Sequence, residues 1–119
     1  MNKKISTHFT NKELDCSCGC GTTVKDEFLV YLELLRIKVN EPLYPTSGGR
    51  CFSHNKKVGG VVNSQHPKGL AVDLSCDNSK LRFKIISTAI KLGFTGIGIA
   101  ETFIHLDRRK ENFAIWSYK

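Results

Sequence analysis

Ser64-Gln65-His66-Pro67-Lys68-Gly69-Leu70-Ala71-Val72-Asp73-Leu74 is the stretch on which the fold reading turns. From Leu70 to Ser75 the residues alternate, with Leu70, Val72 and Leu74 on one face and Ala71, Asp73 and Ser75 on the other. That period of two predicts a half-buried strand whose carboxylate points away from its apolar side. Gly69 turns the chain just before it, so His66 at the end of a loop and Asp73 on the strand converge from adjoining segments. A second alternation, Phe103-Ile104-His105-Leu106-Asp107, puts Phe103, His105 and Asp107 on one face and Ile104 and Leu106 on the other. Two imidazoles and one carboxylate with a fourth position open are the ligand set of a catalytic zinc, because a closed site leaves no room for water. The residues therefore point to a small metal-dependent hydrolase with His66, Asp73 and His105 as metal ligands.

Working outward, Thr10 and Glu13 have the spacing of a capping box for one short helical turn. Phe28, Leu32, Leu35 and Val39 recur at helical spacing, and Asp26 and Glu27 suit the positive end of the dipole, which predicts a helix from about Lys25 to Val39. Asn40 and Pro42 end it. Tyr44 to Gly49 reads as extended, with Pro45 arguing for a sheet edge, and Gly48-Gly49 permit a bend that delivers Arg50. Ser53 is the expected cap of a short helix through His54 to Val58, stopped by Gly59-Gly60. Asp77, Asn78 or Ser79 caps a further helix with Leu81, Ile85, Ile86, Ala89 and Ile90 as its apolar stripe and Gly93 as its close. Phe94 to Ile99 reads as a strand whose glycines at 96 and 98 mark close backbone approach or a bulge. A last strand is expected around Phe113 to Trp116. Helices that interrupt locally pairing strands give an α+β domain with a small, mainly antiparallel sheet packed with helices, and 119 residues make one domain, 1–119.

A net charge of +7 and a pI near 9.3 favour an acidic partner, an anionic cell-wall polymer, nucleic acid or a membrane surface. The basic residues are scattered and accompany no nucleic-acid motif, so no nucleic acid is expected as partner. No apolar run approaches the roughly 18 residues of a membrane span, and the opening residues lead into no secretory h-region. The expectation is thus a monomer without stable membrane insertion, made in the cytoplasm without a signal peptide. Five cysteines, Cys16, Cys18, Cys20, Cys51 and Cys76, read as reduced thiols rather than a disulfide framework. If Asp15 to Gly21 is extended, Cys16, Cys18 and Cys20 share a face. A second, structural zinc there has ligands one residue apart instead of the common two to four, and lacks a fourth donor apart from His8 or Cys51. The spacing favours a thiol-rich packed turn.

Hydrolysis needs a general base near the attacking water. Asp107, two residues from His105 on the same strand face, reads as base or as partner to a ligand imidazole. Glu101, on a stretch expected to be a loop, is the other candidate. Arg50, held after two glycines, suits a carboxylate or a developing oxyanion. Ser64 is a candidate donor to substrate, His54 a candidate to orient substrate or shape its short helix, and His8 reads as plain surface.

The segments S-G-G-R-C-F-S-H-N-K-K-V-G-G-V-V-N-S-Q-H-P-K-G-L-A-V-D-L (47–74) and G-I-G-I-A-E-T-F-I-H-L-D-R-R (96–109) closely resemble the zinc D-alanyl-D-alanine carboxypeptidase family. That family includes phage L-alanyl-D-glutamate endolysins and shares its fold with the hedgehog signalling domain. The opening H-F-T-N-K-E-L-D-C-S-C-G-C-G (8–21) resembles its short phage and bacterial members, so the likeness covers nearly the whole chain. The resemblance implies a zinc peptidase that cuts peptidoglycan cross-peptides, with His66, Asp73 and His105 on zinc, Arg50 on substrate and Ser64 at a substrate-contact position. It also implies action on the cell wall after release by a route other than a signal peptide, or a phage or prophage origin. One departure stands out: many members carry Glu or Asp three residues before the last histidine, where this chain has Thr102 and places Glu101 one position off. Two other readings compete. A non-haem iron oxygenase uses the same ligand types, but its barrel needs more chain. A non-catalytic binding module that keeps the metal is permitted by the carboxylate missing at Thr102.

Overall fold

The computed structural model describes residues 3–60 and 64–118. Its elements run α1 (Asn11–Leu14), α2 (Asp26–Val39), β1 (Pro45–Ser47), α3 (Phe52–Lys57), β2 (Ala71–Ser75), α4 (Ser79–Leu92), β3 (Gly96–Ile99), β4 (Phe103–Asp107) and β5 (Ala114–Ser117). The strands form one sheet in the order β1-β2-β4-β3-β5. All neighbours are antiparallel except β3 and β5, which run parallel. This is the expected α+β architecture with a mainly antiparallel sheet, and β1, with its proline, lies at the edge.

Local chemistry sets the ends of the elements. Thr10 and Glu13 form a reciprocal capping box at α1, which satisfies two backbone donors that the first turn leaves free. Asn40 ends α2 in the left-handed region at φ 59°, and Asn78 caps α4 by accepting from the Leu81 amide at 2.8 Å. The cap of α3 differs from expectation. Cys51, not Ser53, caps it, its Sγ accepting from the His54 amide at 3.4 Å, and the helix begins at Phe52 with Ser53 inside it. The chain leaves the Gly48-Gly49 bend already extended at Cys51, so the cap falls two residues earlier than the serine.

Phe28, Leu32, Leu35 and Val39 of α2 meet Ile85 and Ala89 of α4 and the inner residues Val72, Leu74, Ile97, Ile104 and Leu106 of the sheet in one apolar core. Each large side chain buried this way stabilises the fold by about 1.5–3 kcal/mol. Phe28 packs edge-on against Phe94 at a centroid distance of 5.9 Å. The expected α4 stripe is narrower than its sequence period suggests. Ile90 is 53% exposed, because one face of the helix covers the core and position 90 lies past its edge.

The opposite face of the sheet carries the polar row. Asp73 pairs directly with His105, His105 with Gly98, and Gly98 with Trp116. Cross-strand partners project to the same side at about 4.5–5.5 Å, so register alone lines up a carboxylate, an imidazole, a gap and an indole. The gap is needed: a Cβ on Gly98 would lie 2.7 Å from the Tyr118 ring and 2.8 Å from the Trp116 ring. On the next row, a Cβ on Gly96 would collide with the Asp107 carboxylate. Both glycines thus mark close approach rather than a bulge.

Candidate metal centre and active site

His66, Asp73 and His105 each offer a ligand atom, and these atoms all lie within 4.8 Å of one another. His66 Nε2 stands 3.3 Å from Asp73 Oδ1, and His105 Nδ1 stands 2.9 Å from the same oxygen. Zinc–nitrogen and zinc–oxygen bonds of about 2.0–2.1 Å separate tetrahedral neighbours by roughly 3.3–3.4 Å. The first distance is such an edge, and the second is the length of a direct hydrogen bond. The outer nitrogens are also occupied. His66 Nδ1 lies 2.7 Å from the Gly48 carbonyl oxygen, and His105 Nε2 lies 2.8 Å from Asp107 Oδ2. Such outer partners set the tautomer and the ring angle and leave the inner nitrogen's lone pair to a cation. The donor set therefore fits a zinc ion.

Electrostatics follow from these contacts. Burial alone would raise the Asp73 carboxyl, yet hydrogen bonds from His105 and His66 hold it well below the usual carboxylate range. Burial works against a charged His105, but its bonds to Asp107 and Asp73 raise its pKa. Asp107 is fully buried, and its two oxygens accept from His105 and from the Arg109 side chain and amide. Burial would raise Asp107 as well; those bonds keep it well below its ordinary value.

A cavity of about 570 Å³ opens over the cluster, lined among the described residues by Arg50, Ser64, Gln65, His66, Asp73, Phe103, His105, Arg109, Trp116, Tyr118 and the Val58–Gly60 corner. Arg50 is held by Ser47 Oγ at 2.9 Å and Asn55 Oδ1 at 3.0 Å, and its Nη2 reaches to 4.0 Å from Asp73. Ser64 Oγ accepts from the His66 amide at 3.2 Å. The Trp116 ring stacks tilted on His105 at 5.3 Å and beneath the Arg109 guanidinium at 4.9 Å. Burial raises the pKa of the Tyr118 phenol, so it stays neutral and can donate.

Three sequence expectations are redirected by this geometry. Asp107 does not line the cavity: it lies behind His105 with both oxygens engaged, the position of a partner that orients the imidazole. Glu101 is exposed on the turn between β3 and β4, where Arg82 binds its backbone carbonyl at 2.9 Å, and it does not line the cavity either. His54 faces the N-terminal loop instead of substrate space, with Nε2 2.8 Å from Ser17 Oγ. His8 is a surface residue paired with Glu33 at 2.6 Å. Trp116 and Tyr118 were missed by the sequence reading. Their alternation at the end of a short last strand and just past it is a signal for one shared face, but nothing local says which neighbour that face meets.

No curated protein matches the chain. The family model described as Peptidase M15 matches residues 7–107, a span that contains all three candidate ligands, Arg50 and the whole of the sheet except β5. With that match and a donor set fit for zinc, the chain belongs to the Peptidase M15 family of zinc-dependent metallopeptidases.

Proposed function

We propose that this metallopeptidase hydrolyses amide bonds in peptidoglycan stem peptides, as a D,D-carboxypeptidase or an L,D-type endopeptidase acting at the cell wall. The observation that carries this reading is the placement of Arg50 on the rim of the metal cluster. Its guanidinium lies next to Asp73 and is pinned by Ser47 and Asn55. A fixed fork of this kind pairs with a carboxylate in two parallel hydrogen bonds, and stem peptides present carboxylates beside each scissile amide. A net charge of +7 favours approach to an anionic polymer.

His66, Asp73 and His105 would hold a zinc ion, which would serve as a Lewis acid toward an amide carbonyl and bring the pKa of water toward about 7. The chain's own groups bind and orient the substrate. Arg50 binds and orients the peptide carboxylate, and holding a substrate in reacting geometry removes much of the entropic part of a barrier. The neutral Tyr118 phenol, which lines the same cavity, is the donor to negative charge developing on the carbonyl oxygen. Trp116 and Phe103 line the cavity as an apolar flank for the peptide.

A second reading rests on a specific observation. Asp73 is the one carboxylate among the described residues that line the cavity, and a dedicated general base contributes about 10²–10⁴-fold. A zinc-containing module of the same fold that binds murein without cutting it fits that fact. Incubating the protein with purified murein and weighing the released peptides by mass spectrometry separates the two. New termini at an amide of the stem peptide are expected. Retention on murein with no released peptide would leave the binding module standing and end the peptidase reading.

A further inference from the structure

We propose that Cys16, Cys18, Cys20 and Cys51 form a second metal site, a closed four-thiolate structural zinc centre that ties the N-terminal turn to the segment carrying Arg50. Each of the four offers an Sγ atom, and the atoms all lie within 4.8 Å of one another. Cys16 and Cys18 are 3.4 Å apart, Cys18 and Cys51 3.6 Å, and Cys16 and Cys51 3.9 Å. A disulfide needs about 2.05 Å, and all five cysteines are free thiols. Zinc–sulfur bonds of about 2.3 Å arranged tetrahedrally separate their sulfurs by roughly 3.8 Å. The three distances bracket that edge. Four soft donors with no imidazole or carboxylate among them select zinc over harder ions and leave no vacancy for water, which is the mark of a structural site.

The sequence made this site look poor because its ligands stand one residue apart instead of two to four and no fourth donor is near in the chain. The chain is not extended there. Gly19 and Gly21 take φ of +83° and +90° with open space around them, the Gly19 amide bonds back to the Cys16 carbonyl at 3.1 Å, and the Cys16 amide bonds to the Thr22 carbonyl at 2.6 Å. The resulting coil stacks three thiols in one small volume. The missing fourth donor arrives from 31 residues beyond Cys20, where the chain turns at Gly48-Gly49 and the Gly49 amide bonds to the Leu14 carbonyl at 2.7 Å. Neighbouring contacts run the same way. Ser17, between two of the thiols, meets His54, and the His54 amide bonds to Cys51 Sγ. Cys51 directly follows Arg50, whose guanidinium is held by Asn55 on the same short helix. An ion gripping all four sulfurs closes a loop of over thirty residues and thereby holds one wall of the cavity.

Native mass spectrometry and elemental analysis of protein purified under reducing conditions test this without reference to peptidase activity. Two zinc ions per chain are expected in the parent protein. The His66→Ala/His105→Ala variant should keep one, and its cobalt-loaded form should show intense thiolate-to-metal charge transfer in the near ultraviolet. Cys51→Ser should lose one ion and keep the other; if it fails to fold, the parent and the double-histidine variant decide alone. A double-histidine variant with no metal, a cobalt spectrum without sulfur ligation, iron in place of zinc, or a non-reduced mass short by two hydrogens per bridge would each overturn the assignment.

Discussion

The two ligand clusters of this molecule are built on opposite principles. His66, Asp73 and His105 gather on and beside paired strands, where Asp73 and His105 are direct cross-strand partners and every outer nitrogen is already bonded to Gly48 or Asp107. Cys16, Cys18, Cys20 and Cys51 gather on a glycine-bent coil and at the cap of the short helix α3, outside the sheet. A sheet holds its side chains in place before any cation arrives. A loop does not, so there the ion must supply the order. The first arrangement leaves one coordination position facing a cavity, and the second uses all four. Rigidity provided by the fold goes with chemistry, and rigidity provided by a metal goes with architecture.

The largest effect that sharpens this contrast is expected from Asp73→Asn. Removing the shared carboxylate should lower murein hydrolysis by on the order of 10³-fold or more, equivalent to the several kcal/mol a Lewis acid supplies to such a transition state. The thermal midpoint should fall modestly, because the folded state holds this carboxyl below its usual range and gains from the ion it binds, while the sheet register survives. A collapse of the fold instead would mean that the two clusters do not divide the labour as stated.

Asp107→Asn comes next. It keeps the shape behind His105 but withdraws the negative charge that orients the imidazole, which typically costs about 10–100-fold in metal affinity or activity. Competition with a calibrated chelator, scaled to the folded fraction, is the measurement. Unchanged affinity would reduce Asp107 to a partner of Arg109.

The smallest effect belongs to Gly98→Ala. The new methyl group would press on the Trp116 and Tyr118 rings at 2.7–2.8 Å, and overpacking of this kind costs about 1–3 kcal/mol of stability. Displaced rings should raise KM a few-fold while the metal content stays that of the parent. Altered metal content would show that the aromatic wall supports the ligands as well as the substrate.

Much of the site was legible because its residues obey short periods. The alternations through Leu70–Leu74 and Phe103–Asp107 put Asp73 and His105 on polar faces, and the Gly48-Gly49 bend announced a held Arg50. What the linear pattern does not carry is pairing. That Asp107 spends both oxygens on His105 and Arg109, that Glu101 lies out on a turn, and that His54 looks toward Ser17 depend on which segments meet across the fold. Cys51 is the sharpest case, because its partners lie more than thirty residues upstream.

By itself the sequence determined most of the elements, the α+β class, the donor types of the candidate His66-Asp73-His105 cluster and the family, since periodicity, caps and ligand type are local properties of the chain. Tertiary structure alone decided the rest: the register that sets Asp73, His105, Gly98 and Trp116 in one row, the retreat of Asp107 behind its histidine, and the arrival of a fourth thiol at the N-terminal coil. The reason is that a side chain's role depends on the groups it meets, and those are chosen by packing between distant segments, where hydrogen bonding and burial outweigh any preference written along the chain.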